Sequence, residues 1–262
     1  MAVYTQPDKA REKIRDYYRD ADLWLPQEKN PSWRVFKFDV ITDEGKTRFV
    51  NIKDRVDSKE TLRQHLIQRA PLNVYWMVSN WMNPTKTRGK TYDDEEDGRY
   101  HADKNHFLFS DLVIDFDHKN TEEVEKVWDY LVEEKGIKEE DMYIVYSGGG
   151  YHINIDQWYR NRDIAHPIER EKHAYKQMQK MCEELDNQGF EFDYKVQNDS
   201  YNSPTGDTRR VRKLPQTITK YGNLSEVIPK SNLHSYSETK VMEFQTKTPQ
   251  NQRTLEELKI KA

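Results

Sequence analysis

Hydrophobic positions along this chain alternate between helical and strand-like spacing in short blocks. Residues 8–19 (DKAREKIRDYYR) predict a short amphipathic helix that ends before a turn at Trp24–Pro26. WRVFKFDVI and TRFVNI, separated by Asp43-Glu44-Gly45-Lys46, predict two strands between Trp33 and Ile52. The segment 58–69 (SKETLRQHLIQR) opens on Ser58 and Thr61, spaces Leu62 and Leu66 four apart, and predicts a helix stopped by Pro71. NVYWMVSNW then reads as one strand rich in β-formers. From about 83 to 105 the pattern turns polar, with the acidic run Asp93–Asp97, and predicts a solvated loop. Order returns with FLFSDLVIDFD (107–117), an apolar strand that ends in acidic residues. Val124, Val127, Trp128 and Leu131 give residues 121–135 one buried helical stripe, closed by Gly136. DMYIVYS (141–147) is the next strand, so the strand–helix–strand order predicts a crossover between two neighbouring strands. SGGGYHINIDQW turns sharply into another strand, residues 167–187 form a helix, and FEFDYKV reads as a strand. A loop at 199–208 leads into RRVRKLPQTITKYGN, and the last thirty or so residues read as a polar tail with a short helix near 254–260. No internal repeat is visible. The expected architecture is one compact α/β (α+β) unit with mixed sheets flanked by helices.

Composition narrows the function classes. Of 262 residues, 35% are hydrophobic and 34% charged, and the mean hydropathy is −1.09. The apolar runs are too short for a membrane span of roughly 20 residues. The start, MAVYTQPDKAREK, lacks the apolar core of a secretory signal. A single cysteine, Cys182, excludes a disulfide framework and cysteine-rich zinc fingers, so a cytoplasmic, nucleoid-associated setting without membrane contact is expected. With 42 basic and 46 acidic residues the net charge is −4, so a polyanion would need a local basic patch. The 16 Tyr, 6 Trp and 9 Phe argue for an ordered chain despite the charge.

Three segments carry candidate chemistry. In VIDFD, Asp115 and Asp117 lie two apart on a strand, so both carboxylates project from one face. Such a pair repels itself unless a cation neutralises it, and hard oxygen ligands suit Mg²⁺ or Mn²⁺; a solvated acidic strand end is the plainer alternative. In YSGGGYH, successive glycines let the backbone approach a ligand, and their amides with the Ser147 hydroxyl suit an anion nest; His152 opens the next strand. A glycine-rich hairpin is the plainer alternative here. In the third segment Asp193 is a further candidate ligand or a surface strand position. The cluster Arg209, Arg210, Arg212, Lys213 and Lys220 fits a triphosphate or a nucleic-acid backbone, or a solvated basic loop. His101, His106 and His118 are irregularly spaced without cysteine partners and read as surface or structural histidines.

In order and spacing these motifs resemble the archaeo-eukaryotic primase superfamily: VIDFD as its paired aspartates, SGGGYH as its Ser–Gly–His motif, and FDYKV with RRVRKLPQTITK as its third. WRVFKFDV and LRQHLIQRAPLNVYWMVSNWMNP are similar to the segments preceding the aspartates in small primase subunits, so the resemblance spans roughly residues 10 to 225. It implies a primase-type catalytic core: an N-terminal α+β part (1–106), a metal- and nucleotide-binding part (107–230) and a polar tail (231–262). It also implies a template-dependent nucleotidyltransferase in which Asp115, Asp117 and Asp193 hold two Mg²⁺ or Mn²⁺ ions, with His152 completing the catalytic set. Ser147, Gly148, Gly149, His152, Arg210, Arg212 and Lys220 would contact the nucleotide. Single-stranded DNA and nucleoside triphosphates would be its ligands, and a separate large primase subunit or a helicase its partner. Two departures matter. Apart from Thr219, which stands where the family's third motif has a histidine, a plain helix replaces the family's zinc-binding insertion, and only GGG stands where its second motif has a basic residue and one more position before the histidine. Both lean toward the compact primase-polymerases and repair or gap-filling polymerases. A metal-dependent nuclease and a non-catalytic nucleic-acid-binding subunit remain the other readings.

Overall fold

The computed structural model describes residues 3–25, 35–52, 56, 58–81, 107–160, 163–164, 167–193 and 211–247. Two antiparallel sheets, each covered by helices on one face, build the molecule. The four-stranded sheet has the order β3-β2-β4-β9 and is formed by β2 (Phe36–Ile41), β3 (Thr47–Asn51), β4 (Pro71–Met77) and β9 (Val211–Lys213). Helices α1 (Pro7–Asp20) and α2 (Lys59–Arg69) bury Ile14, Tyr18, Leu62 and Leu66 against Phe36, Phe38, Val74 and Trp76 of this sheet. The Ser58 hydroxyl accepts from the Thr61 amide at 3.1 Å and caps α2, as the sequence pattern anticipates.

The six-stranded sheet has the order β10-β11-β7-β8-β6-β5. Its strands are β5 (Ser79–Trp81), β6 (Phe107–Phe116), β7 (Met142–Tyr146), β8 (Tyr151–Tyr159), β10 (Thr217–Ile218) and β11 (Leu224–Ile228). Strict alternation sorts β6: Leu112, Ile114 and Phe116 pack against α3 (Thr121–Glu133) and α4 (Pro167–Asn187), while Asp111, Val113 and Asp115 belong to the opposite face. A small third sheet pairs β1 (Val3–Tyr4) with β12 (Thr246–Lys247). Among the described residues no helix is long and apolar enough to cross a membrane.

Several expectations are corrected. β6 and β7 are not neighbours: β8 lies between them, antiparallel to both, because the glycine turn after β7 folds the chain straight back into the gap. NVYWMVSNW is two strands in different sheets, β4 and β5, parted at Val78; a run of β-formers specifies extension but not partner. Residues 190–193 of FEFDYKV are not a strand, and 194–196 lie outside the described residues, as do the acidic run 93–97 and the helix expected near 254–260.

Besides apolar contacts such as Met77 with Phe107, a buried polar side chain links the two sheets. Arg212 on β9, 1% exposed, donates from Nη2 to Asp111 Oδ2 (2.5 Å) and from Nη1 to Asn154 Oδ1 (2.8 Å). Its guanidinium lies 3.9 Å from the centroid of the Trp76 ring. Asp111 is itself fully buried, and its other oxygen accepts from the Gln157 amide at 2.7 Å. Replacing Arg212 with Met should therefore strand a buried carboxylate and cost about 3–5 kcal/mol of stability in urea unfolding. An Asp111→Asn, Arg212→Met double variant should recover part of that loss.

Candidate active site

The motifs meet at one end of the six-stranded sheet. Asp115 on β6 stands directly opposite His152 on β8, and His152 Nε2 lies 3.2 Å from Asp115 Oδ1. His152 is 7% exposed, and its Nδ1 has no hydrogen-bond partner among the described residues. A buried imidazole with an unused nitrogen is a ready contact for a ligand atom. Asp117 follows immediately beyond the end of β6 and is exposed.

Asp193 reaches the same place from the end of α4. Its amide donates to the Asp115 carbonyl at 2.7 Å. The approach is guided by Glu123, a nearly buried acid on α3, whose Oε1 accepts from the Glu191 amide at 3.0 Å. Phe190 adds a ring contact with Tyr130 at 5.3 Å. The backbone of Asp193 therefore meets the end of β6 beside Asp115 and Asp117. Among the described residues no group of three or more His, Cys, Asp or Glu side chains is gathered closely enough to hold a metal ion.

Ser147–Gly150 joins β7 to β8 next to this group. The Ser147 amide and hydroxyl both donate to the Gly150 carbonyl, at 2.9 and 3.2 Å, so serine closes the turn rather than lining a nest with its own donors. Gly148 (φ +94°) presses on Thr219: a Cβ there would lie 2.5 Å from the threonine methyl. Gly150 passes so close to β6 that a Cβ would lie 1.8 Å from the Phe116 carbonyl oxygen. Both glycines are required by space, and Thr219, the departure noted in the sequence, is the surface that the turn packs on. A Gly150→Ala variant should split the β6–β8 end and lower the melting temperature by several degrees, read by calorimetry.

The basic segment divides. Arg210 lies outside the described residues. Arg212, expected beside phosphates, is the buried brace between the sheets, because Asp111 and Asn154 supply its partners inside the protein. Lys220 follows Thr219 directly and lines a cavity of about 710 Å³ together with Asp39, Asn73, Tyr221, Lys240 and Glu243.

Sequence reasoning missed the buried polar groups Asp111, Asn154 and Asn73, and counted Lys213 with the basic cluster although it is buried. The clue was a charged or amide residue inside an apolar strand. Lys213 Nζ donates to Asn73 Oδ1 and sits 4.3 Å from the Tyr75 ring centroid. Asp39 accepts from Asn73 Nδ2 (2.6 Å) and the Tyr75 hydroxyl (3.2 Å). Burial pushes Lys213 from 10.5 down to about 7, against the opposing pull of Asp39 and with a further lowering from Lys220. Since the unfolded chain binds this proton more tightly, stability should rise from about pH 7 toward pH 9.5, below the range where tyrosines titrate. Lys213→Met should flatten that rise in urea unfolding curves.

Fold and site together define an α+β protein in which two helix-backed sheets bring an aspartate–histidine pair and a glycine turn to one sheet end. Comparison with known proteins agrees. The chain is 29% identical over 162 aligned positions to the DNA primase small subunit PriS of Methanococcoides burtonii, covering 55% of this chain and 37% of that protein. It is 26% identical over 160 positions to PriS of Methanosarcina barkeri, covering 55% and 34%. The match thus spans little more than a third of the length of these relatives. In three dimensions it resembles the polymerase domain of Mycobacterium tuberculosis ligase D, solved in complex with DNA, with a TM-score of 0.54 over 88% of this chain and 85% of that one at 12% identity. No family model matches the chain. The resemblance to the archaeo-eukaryotic primase superfamily is borne out as a similarity: about half of the chain aligns with archaeal primase small subunits.

Proposed function

We propose that the protein is a divalent-metal-dependent nucleotidyltransferase of the primase type, making or extending primers on single-stranded DNA. The observation that carries this reading is the pairing of Asp115 with His152 across adjacent strands, at the end closed by the Ser147–Gly150 turn and joined by Asp193. The donor chemistry suits Mg²⁺ or Mn²⁺: Asp115, Asp117 and Asp193 offer hard oxygens. Magnesium is commonly held by one or two carboxylates plus substrate phosphates, so a closed protein cage is not required. Held there, such ions would supply activation of a primer 3′-hydroxyl and neutralisation of charge on the departing pyrophosphate. Around them the chain's own groups orient the nucleotide. His152 and the Gly148 and Gly149 amides would contact a phosphate, Lys220 would add positive charge, and Arg212 braces the two sheets.

A template surface is offered by the exposed face of the four-stranded sheet. Phe49 is 51% exposed, Lys37 Nζ lies 5.5 Å from its ring centroid, and Tyr75 meets it edge-on at 5.7 Å. An aromatic flanked by cations suits stacking of an unpaired base. A separate large primase subunit or a helicase would supply loading onto DNA.

The test is incubation of the chain with Mn²⁺ or Mg²⁺, labelled nucleotides and single-stranded template, with and without an annealed primer. Nucleotide incorporation is expected, falling to background in Asp115→Asn and Asp117→Ala with folding retained. Release of nucleotides from DNA without extension would replace the reading with a nuclease, and full activity of either variant would overturn the site. Product from the primed template alone would point to gap filling. Phe49→Ala should weaken single-stranded DNA binding by about 1–3 kcal/mol in a fluorescence titration.

A further inference from the structure

The tail after β11 is not a loose appendage: residues 238–246 return across the site. The Val241 and Met242 amides both donate to the Gly222 carbonyl, at 2.9 and 3.1 Å, and Lys240 Nζ donates to the Tyr221 carbonyl at 2.7 Å. Gly222 (φ +79°) permits this, since a Cβ there would lie 2.0 Å from the Met242 oxygen. Farther along, the Gln245 carbonyl accepts from the Thr5 amide at 2.9 Å and Phe244 meets Tyr4 edge-on at 5.4 Å. The Tyr4 hydroxyl in turn donates to the Lys220 carbonyl at 3.3 Å. The turn Thr219–Gly222 is therefore held from two sides, by the tail and by β1, while Asn73 Oδ1 accepts from the Lys220 amide at 3.0 Å.

Glu238 ties this arrangement to the motif loops. Its carboxylate accepts from Lys119 Nζ and from Asn223 Nδ2. Desolvation pushes its pKa up, but the hydrogen bond from Lys119 and the nearness of the Tyr146 hydroxyl outweigh it and hold the carboxyl below the usual range. Lys119 stands two residues beyond Asp117, Tyr146 directly precedes Ser147, and Asn223 directly follows the Lys220 turn. One carboxylate thus joins the three loops that carry the candidate chemistry. An exposed Lys–Glu pair alone contributes little, but here the acid also satisfies the nearly buried Asn223.

We propose that Glu238 and the tail behind it are positioning elements of the nucleotide site, holding the Lys220 turn in place to receive a polyphosphate without touching the reacting atoms. This rests on the nucleotidyltransferase reading above. Pre-ordering such a turn removes an entropy cost from nucleotide binding and leaves the chemical step alone.

Glu238→Ala and Lys240→Met, both altering exposed side chains, test it in two arms. Hydrogen exchange of the Thr219, Tyr221 and Gly222 amides should accelerate about tenfold, the loss of one charge-assisted hydrogen bond, with exchange in β6 and β8 unchanged. The nucleotide KM should rise about fivefold to tenfold while kcat stays within about twofold and template Kd is unchanged. Unchanged exchange in both variants would overturn the clamp. Faster exchange with an unaltered KM, or a fall in kcat alone, would overturn its role in nucleotide binding. Failure of the unaltered protein to incorporate nucleotide would instead remove the functional reading and the nucleotide role with it, leaving exchange to judge the clamp.

Discussion

The contact on which the rest depends is the buried Arg212–Asp111 pair. Two sheets that each bury one face against their own helices meet through a small apolar cluster, Met77 with Phe107 and Tyr159, and through this buried polar link. A lone buried arginine or aspartate would be prohibitively costly. Here each finds the other, Asn154 and the Gln157 amide fill further hydrogen-bonding positions, and Trp76 covers the guanidinium plane. Such a link is directional where apolar contact is not, and its direction matters. Asn154 lies two residues from His152, and Asp111 four from Asp115, on the same faces of β8 and β6. Orienting β9 against these two strands also orients the strands that carry the site.

The glycine turn imposes the second constraint. β8 can enter the sheet between β6 and β7 only if the chain reverses without side chains, since Gly150 runs against the Phe116 carbonyl and Gly148 against Thr219. The same reversal sets His152 opposite Asp115. Gly148 and Gly150 are therefore packing requirements, whereas Gly149 has open space around it.

Much of this was legible in the chain. Periodicity located the four α-helices and most strands of the described residues, because alternation in β6 and the stripe of Val124, Val127, Trp128 and Leu131 record burial directly. Paired aspartates, glycine turn and histidine were legible as a set because their spacing is local. Strand order was not: nothing in residues 141–155 says that β8 inserts between β6 and β7, since pairing is decided by long-range packing. Nor could sequence distinguish Arg212 from Arg210 or Lys220. A buried arginine and a phosphate-binding arginine are the same letter, and only the acid and amide opposite it, 101 and 58 residues away, settle which it is.

Charge placement follows the same logic. A chain with net charge −4 cannot attract a polyanion through its overall field, so affinity must come from cations held close to where phosphates lie. Of the five cations in the third segment, burial removes Arg212 from that pool and leaves Lys213 easily neutralised, with a pKa near 7. Lys220 is the remaining member within the described residues, and contacts from β1, β4 and the tail hold its short turn in place.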